Sequence, residues 1–256
     1  MSWAGVDPHG QRVVLAHGGG GQLTENLLRD AVLPRLANPL LDPMDDSALL
    51  PTDGPVAFTT DSYVVQPLEF PGGDIGRLAI CGTVNDLAVC GAHPRWLSLG
   101  LILEEGLELE VLQRILDSVA ATAREADVHV VTGDTKVVAR GQADGLYINT
   151  AGVGTLRSGV ELRADRCQPG DAILINGPIA DHGMAVMLQR EGGSQIESDL
   201  ASDVAPLGGL IAALLEAVPE TRFLRDATRG GLAGVVADLA SGSGRRIALD
   251  QEAIPV

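Results

Sequence analysis

The sequence predicts an α+β fold made of two units. Short apolar runs typical of strands alternate with longer segments whose apolar residues recur at helical spacing. Helices do not separate all of the strand segments, so the sheet need not be wholly parallel. A change of composition ending in the turn Pro169-Gly170-Asp171 predicts a first unit of residues 1–165 and a second unit of residues 166–256.

The first unit is predicted to hold a mixed sheet with helices. Its predicted strands and helices are the strands 56–65, 96–103, 128–132 and 146–156 and the helices 74–90 and 107–126. The second of these helices carries leucines and other apolar residues at helical spacing, which is typical of a core element. Before the sheet, a glycine run after His17 leads into a helical pattern that is expected to end at Pro34.

The second unit has fewer recognisable elements. A strand is predicted at 172–176 and a short one at 247–249, with helices at 184–190, 207–218 and 228–240. This is too little for a complete mixed domain. The sequence therefore predicts an incomplete second α/β domain.

Composition and charge exclude several classes of protein. The formal charge of -16 opposes binding to nucleic acid, because a phosphate backbone needs clustered basic residues. No apolar run reaches the roughly 18 residues of a membrane span, so a soluble, cytoplasmic protein is expected. The three cysteines form no CxxC motif, and buried free thiols are the expected state.

Aspartates in four separate segments are the main chemical signal. Asp61 and Asp134 each follow an apolar run, Asp86 lies in a helix of small and apolar residues, and Asp46 belongs to an acidic pair. Carboxylate oxygens are suited to magnesium-bound phosphate, so the pattern favours a nucleotide enzyme. A turn aspartate remains an equal explanation of Asp61 taken alone.

Other residues support an anion site less specifically. Lys136 is the single lysine among 18 basic residues, which is consistent with a phosphate contact or with a solvated loop. The glycines 18–20 either approach an anion or form a plain turn. Asp226 and Arg229 flank a predicted helix start, where an N-cap role would also explain the aspartate. His182 is a candidate base, although an Asp-His pair on a loop is more often structural.

Five long motifs then resemble a known family. HGGGGQLTENLL (17–28), FTTDSYVVQPLEFPGGDIGRLAICGTVNDLAVCGA (58–92), GDTKVV (133–138), INGPIADHGMAV (175–186) and RDATRGGLAGVVADLA (225–240) resemble the HypE family of hydrogenase maturation proteins. That family belongs to the aminoimidazole ribonucleotide synthetase-like ATP enzymes. The resemblance implies a homodimer whose first domains build a shared β-barrel, with ATP and Mg²⁺ bound near the interface.

The resemblance also assigns residues and partners. It implies that the positions which bind ATP and Mg²⁺ are Asp46, Asp61, Asp86, Asp134, Asp226, Lys136 and Asn149. We expect the five aspartates to hold magnesium and Asp61, Asp134, Asp226, Lys136 and Asn149 to contact the nucleotide; the residue pattern adds Gly18, Gly19, Gly20, Asn85 and Arg229 to these contacts. Lys136 is also expected to act in catalysis, and His17 and His182 are the candidate bases, because the chemistry needs a group that removes the N–H protons. The family converts a carbamoyl group, placed on a C-terminal cysteine by the carbamoyltransferase HypF, into a thiocyanate for iron held by HypC-HypD.

One departure and two alternatives accompany this resemblance. No cysteine follows Cys167, whereas the family's tail ends in the acceptor cysteine, so we expect ATP binding but no thiocyanate formation on the chain itself. One alternative is a small-molecule kinase or synthetase of the selenophosphate synthetase or thiamine-phosphate kinase type. The glycine-rich loop lacks the reactive cysteine expected of the former. The other alternative is a dimerising, partner-binding fragment without turnover.

Overall fold

The computed structural model describes residues 12–18, 22–42, 50–190, 198–228 and 230–255. Its first unit is a four-stranded sheet with helices packed on one face, and a two-stranded hairpin beside it. The sheet order is β1-β6-β4-β5, and the hairpin is β2-β3. The strands are β1 (Val56–Tyr63), β2 (Glu69–Phe70), β3 (Gly73–Asp74), β4 (Ala92–Glu104), β5 (His129–Val138) and β6 (Leu146–Leu156).

The sheet is mixed, as the sequence predicts. β6 is antiparallel to both β1 and β4, while β4 and β5 are parallel. The helix α4 (Leu109–Glu125) connects these two parallel strands, which is the crossover that parallel neighbours require. The predicted bounds of β6 are confirmed, because its residues alternate between a buried and a more exposed face along its whole length.

The helix α3 (Ile75–Val89) lies between the sheet and α4. It begins at Asp74, whose Oδ1 accepts hydrogen bonds from the backbone N–H groups of Gly76 and Arg77 at 2.7 and 2.9 Å. A Cβ on Gly76 would lie 2.6 Å from the carbonyl oxygen of Ile115, so glycine permits α3 and α4 to pack closely. Because it is covered on two sides, most residues of α3 are buried.

Among the helices in the described ranges, no α-helix packs on the opposite face of the sheet. Cross-strand pairing aligns Ser62, Asn149, Gly100 and Asp134 in one row on that face. Phe58 projects from the same face and is 68% exposed. Its strand β1 pairs only with β6 among the described residues, so its outer edge is free. We call this surface the open face.

Two predicted boundaries in the first unit are wrong. β5 does not end at Thr132 but continues through Asp134 and Lys136, because the backbone of β4 pairs with it as far as Val138. β4 likewise begins at Ala92 and not at Trp96, because its backbone pairs with β6 from that residue on.

The N-terminal helical segment also continues beyond its predicted end at Pro34. The segment consists of α1 (Gln22–Leu27), a π-helical stretch Leu28–Val32 and α2 (Leu33–Leu36). Pro34 lies in the first turn of α2, directly after the π-helical stretch, and the helical path continues through it to Leu36.

The second unit contains helices and loops in its described part. These helices are α5 (Asp181–Arg190), α6 (Gly208–Ala217) and α7 (Gly231–Ser243), with short 3-10 turns at Ala164–Arg166 and Gln251–Ala253. The strands predicted at 172–176 and 247–249 are absent from the described residues, because no strand lies beside either segment to pair with it. Ile173 and Leu174 are accordingly 63% and 81% exposed.

Contact between the units is made mainly by α6, which packs on α3 through Ile211, Leu215 and Ala88. This contact positions the second unit against the C-terminal half of α3. None of the helices in the described ranges is both long and apolar enough to cross a membrane.

Candidate functional site

Three of the predicted acidic residues approach one another where α3 meets β1. Asp86 lies near the C-terminal end of α3, and its Oδ2 accepts a hydrogen bond of 3.0 Å from the Thr59 hydroxyl on β1. Asp61 pairs with the buried Thr150, so its side chain is on the helix-covered face of the sheet. Asp226 reaches Asp86 from the loop that precedes α7, closely enough to act on its charge. We call these three residues the acidic cluster.

The acidic cluster holds Asp86 in an unfavourable electrostatic environment. Burial is the largest cause that raises the pKa of Asp86 from 3.8 to about 6, and the negative charges of Asp226 and Asp61 add to it. The Thr59 hydroxyl opposes this rise in pKa by donating to the ionised carboxylate. Ionising Asp86 beside two further acids therefore costs free energy, and a bound cation would recover it.

The donor set fits a magnesium ion that carries phosphate. Within the described ranges, no three potential ligand side chains lie close enough together for a preformed all-protein metal cage. Mg²⁺ commonly needs only one or two carboxylates, because waters and phosphate oxygens complete its coordination. The adjacent pair Asp61 and Asp86, with Asp226 nearby, meets that requirement.

Hydroxyl groups beneath Asp61 were not singled out by the sequence. The Tyr63 hydroxyl donates to Asp61 Oδ2 at 3.3 Å and also contacts the Thr83 hydroxyl at 3.2 Å. Thr83 in turn hydrogen-bonds Thr150, and both threonines are fully buried. The strand period of two in TTDSY was an available signal, because it places Thr59, Asp61 and Tyr63 on one face.

Asp134 and Lys136 lie on the open face, away from the acidic cluster. The row that contains Asp134 also contains Asn149 and Ser62, whereas Asp61 occupies the neighbouring row and the opposite face. Lys136 Nζ and Asp134 Oδ1 form an ion pair of 3.0 Å, with side chains 64% and 67% exposed. In a single chain, these two side chains do not join the acidic cluster.

Asn149 lies on the open face and holds the neighbouring strand β1. Its Nδ2 donates to the backbone carbonyl of Asp61 at 2.9 Å and to the Ser62 hydroxyl at 3.0 Å. The amide therefore holds the backbone of β1 at the residue whose carboxylate belongs to the acidic cluster. Its predicted contact with nucleotide stays a prediction.

His17 and Gly18 lie beside β5, at the far edge of the sheet from β1. His17 Nδ1 accepts a hydrogen bond of 3.0 Å from the backbone N–H of Val14, and burial lowers the pKa of the ring. A Cβ on Gly18 would lie 2.6 Å from the backbone nitrogen of Val137. Close packing on β5 thus accounts for this glycine without a ligand.

His182 is engaged in packing contacts. It lies in the first turn of α5 and not on a loop as predicted. Its Nδ1 shares a hydrogen bond of 3.0 Å with the Ser202 hydroxyl, and its ring contacts Phe70 edge-on at 5.3 Å. Burial lowers its pKa, which favours the neutral ring. These contacts tie α5 to the β2-β3 hairpin.

Asn85 holds the start of α6. Its Nδ2 donates to the carbonyl of Ala205 at 3.0 Å, and its Oδ1 accepts from the backbone N–H of Leu207 at 2.7 Å. Both ends of the amide are used within the protein, beside the acidic cluster. Its role toward nucleotide stays a prediction.

Asp226 does not cap α7, which corrects the alternative explanation of this residue. The residue before the helix is Gly230, with φ of 81° and no side-chain cap. The carboxylate instead accepts a hydrogen bond of 3.2 Å from the Thr228 hydroxyl. The remaining predicted site residues, Gly19, Gly20, Asp46 and Arg229, lie outside the described residues.

Comparison with known proteins gives a consistent result. The family model "AIR synthase related protein, N-terminal domain" matches residues 44–156, and the corresponding C-terminal domain model matches residues 168–256. The carbamoyl dehydratase HypE of Azotobacter vinelandii is 49% identical over 253 residues, which are 98% of this chain and 74% of that protein.

Solved structures agree with the sequence relatives. A HypE structure in complex with ATP matches with a TM-score of 0.86 and 47% identity over 90% of this chain and 68% of that one. A HypE-HypF complex matches with a TM-score of 0.76 and 46% identity, covering 92% and 75% of the two chains. With both domain models matched and nearly half of all residues shared, the chain belongs to the HypE family of carbamoyl dehydratases, within the AIR synthase related proteins.

Proposed function

We propose that the chain binds ATP with Mg²⁺ and uses it to dehydrate an S-carbamoyl cysteine to a thiocyanate in [NiFe]-hydrogenase maturation. The observation that carries the proposal is the convergence of Asp61, Asp86 and Asp226 from three distant segments. A relative of 47% identity has been solved with ATP, which supports the same ligand for this fold.

The proposed reaction removes the elements of water from an amide. Transfer of the γ-phosphoryl group to the carbamoyl oxygen turns a poor leaving group into phosphate. Loss of both N–H protons and departure of phosphate then leave the carbon–nitrogen triple bond. For such phosphoryl transfer, the protein mainly positions the reactants and stabilises negative charge.

The acidic cluster is the proposed site of the metal. Asp61 and Asp86 would hold Mg²⁺, with Asp226 as a further ligand or as its outer neighbour. When bound, the ion would neutralise the charge of the phosphate oxygens. Asp46, Gly18, Gly19, Gly20, Asn85, Asn149 and Arg229 remain proposed contacts. His17 and His182 remain proposed bases, although one nitrogen of each ring already has a partner within the chain.

A homodimer formed through the open faces is part of the proposal. The free edge of β1 and the exposed Phe58 on an uncovered sheet face support it, since exposed apolar sheet faces mark interaction surfaces. Asp134 and Lys136 would then lie at the contact between two chains. Phe58→Asp should convert a dimer to a monomer in sedimentation equilibrium, whereas Leu174→Asp, at an exposed apolar residue elsewhere, should not. A wild-type monomer would refute this assembly.

A carbamoyltransferase and an iron-holding complex are proposed partners in the reaction sequence. A HypF-type carbamoyltransferase would supply the carbamoyl group, and the HypE-HypF complex solved for a relative supports this choice. The HypC-HypD complex would receive the cyano group on its iron.

The direct test supplies substrate in trans. The chain is incubated with Mg²⁺, ATP and a synthetic peptide ending in S-carbamoyl cysteine, and the peptide is analysed by mass spectrometry. We expect loss of one water from the peptide together with equimolar ADP and phosphate, and no reaction with Asp86→Asn. ATP binding without any dehydrated peptide would contradict the dehydratase proposal, and a phosphorylated small product would favour a kinase.

A further inference from the structure

Asp61 rests on a buried chain of three hydroxyl groups. Tyr63, Thr83 and Thr150 are linked in sequence by hydrogen bonds, and Tyr63 makes the contact with the Asp61 carboxylate at 3.3 Å. Thr83 and Thr150 have no exposed surface. Among the described residues, Tyr63 is the only uncharged group that hydrogen-bonds the Asp61 side chain.

Only one arrangement of protons gives every hydrogen bond in this series of hydroxyl groups a donor and an acceptor. An ionised carboxylate only accepts hydrogen bonds, so Tyr63 donates to Asp61. The tyrosine oxygen is then free to accept from Thr83, and Thr83 to accept from Thr150. Hydrogen bonds aligned in this way strengthen one another in a buried setting.

The neighbouring helix leaves room for this arrangement. A Cβ on Gly82 would collide with the Tyr63 hydroxyl and would lie 3.1 Å from its Cε1 and Cζ atoms. Glycine is otherwise unfavourable inside a helix such as α3. Its presence in the middle of α3 is explained by the position that the tyrosine hydroxyl takes.

Asp61 needs such support because Asp86 lies beside it. The two carboxyl groups are near enough to share a hydrogen bond, so like charge drives them apart whenever both are ionised. Binding a cation requires the opposite, namely two ionised carboxylates held side by side. A fixed donor beneath Asp61 stabilises its ionised form in the place where a cation would be bound.

We propose that Tyr63 is a positioning residue, which holds the Asp61 carboxylate toward Asp86 so that the pair can bind the magnesium ion of Mg–ATP. This inference rests on the proposed ATP-dependent function.

The test compares three variants by calorimetric titration with Mg–ATP and, separately, with ATP in excess EDTA. Tyr63→Phe removes only the hydroxyl oxygen, and we expect about tenfold weaker binding of Mg–ATP, as for a lost hydrogen bond to a charged group. Gly82→Ala keeps the hydroxyl but displaces it, and should weaken Mg–ATP binding in the same direction. Tyr147→Phe removes an equivalent hydroxyl, which donates to Asp144 at 3.1 Å, and should leave the affinity unchanged.

The magnesium dependence separates positioning from a general effect on the fold. For Tyr63→Phe, the loss of affinity should appear with Mg–ATP and vanish in EDTA, a pattern that simple destabilisation would not produce. Affinity within twofold of the wild type for both Tyr63→Phe and Gly82→Ala would overturn the positioning role alone. Wild-type protein without magnesium-dependent ATP binding would overturn the proposed function and this inference together. If Tyr63→Phe does not fold, Gly82→Ala decides the question.

Discussion

Replacing Asp86 by Asn should have opposite effects on the free and on the nucleotide-bound protein. Asparagine keeps the shape of the side chain and an oxygen that accepts the Thr59 hydrogen bond, but it removes a charge that burial and two neighbouring acids oppose. The free chain should therefore become more stable at pH 8. The stabilisation that Mg–ATP gives the wild type by ligand linkage should disappear.

The size of the first effect follows from the raised pKa. A rise from 3.8 to about 6 corresponds to about 3 kcal/mol at full effect. Asp86 is only half-buried, so solvent screening reduces this to about 1.5 kcal/mol. For a chain of this length the variant should unfold about 3 to 6 °C above the wild type at pH 8.

The pH dependence has a definite sign. Because the pKa of Asp86 is higher in the folded chain than the ordinary 3.8, its contribution favours folding fully below pH 3.8 and is lost as the pH rises through about 6. The advantage of Asp86→Asn over the wild type should therefore grow between pH 4 and pH 7 and be absent below pH 4.

Denaturant unfolding monitored by circular dichroism from pH 4 to pH 8, with and without Mg–ATP, measures both effects. Asp165→Asn is the matched control, because it removes an exposed aspartate paired with Arg163. The control should change stability by less than about 0.5 kcal/mol. A destabilised Asp86→Asn chain at pH 8 would show that the charge of Asp86 is not unfavourable in the free protein. An Asp86→Asn chain that Mg–ATP still stabilises fully would show that Asp86 does not bind the metal.

Three further predictions concern single side chains. His182→Ala should lower the free energy of unfolding by about 1 to 2 kcal/mol, because the hydrogen bond with Ser202 is lost. Its affinity for Mg–ATP in calorimetry should be unchanged. Lost turnover at full stability would instead support a role for His182 as a catalytic base. In denaturant unfolding, Gly76→Ala should lower the free energy of unfolding by about 2 kcal/mol, because the added methyl group overpacks against α4. Gly209→Ala in α6 has open space around it and should raise the free energy of unfolding by up to about 1 kcal/mol. Equal effects of the two substitutions would show that close packing does not explain Gly76. Lys136→Gln should leave the free energy of unfolding unchanged, since the ion pair of Lys136 is exposed. It should weaken the binding of Mg–ATP about tenfold if the lysine contacts phosphate. An unchanged affinity would show that Lys136 is not part of the nucleotide site.

The regular elements of the first unit were predictable because each has a local pattern. The alternation from Leu146 to Leu156 defines β6, and the spacing of leucines defines α4. The end of β5 was not predictable, since Asp134 and Lys136 are poor strand residues that pairing with β4 keeps extended. The apolar run at 172–176 was misassigned because the same pattern suits a buried strand and an exposed segment.

The acidic cluster was only partly predictable. Residue types in the motifs identified Asp61, Asp86 and Asp226 as candidates, and the structure places Asp61 and Asp226 near enough to Asp86 for their charges to act on it. The separation of Asp134 from them depends on the parity of strand register, which is set by long-range pairing and leaves no mark in one sequence. The support given by Tyr63 required knowledge of how α3 lies on β1.

We expect Asp61 and Asp86 together to hold the divalent ion of the nucleotide. Manganese is a suitable probe, because it takes oxygen ligands as magnesium does and can be located by anomalous X-ray scattering. A crystal of the chain with Mn²⁺ and a non-hydrolysable ATP analogue should show an anomalous peak about 2.1 Å from carboxylate oxygens of both residues. A peak coordinated elsewhere, or nucleotide bound with no metal at this pair, would contradict this role of Asp61 and Asp86.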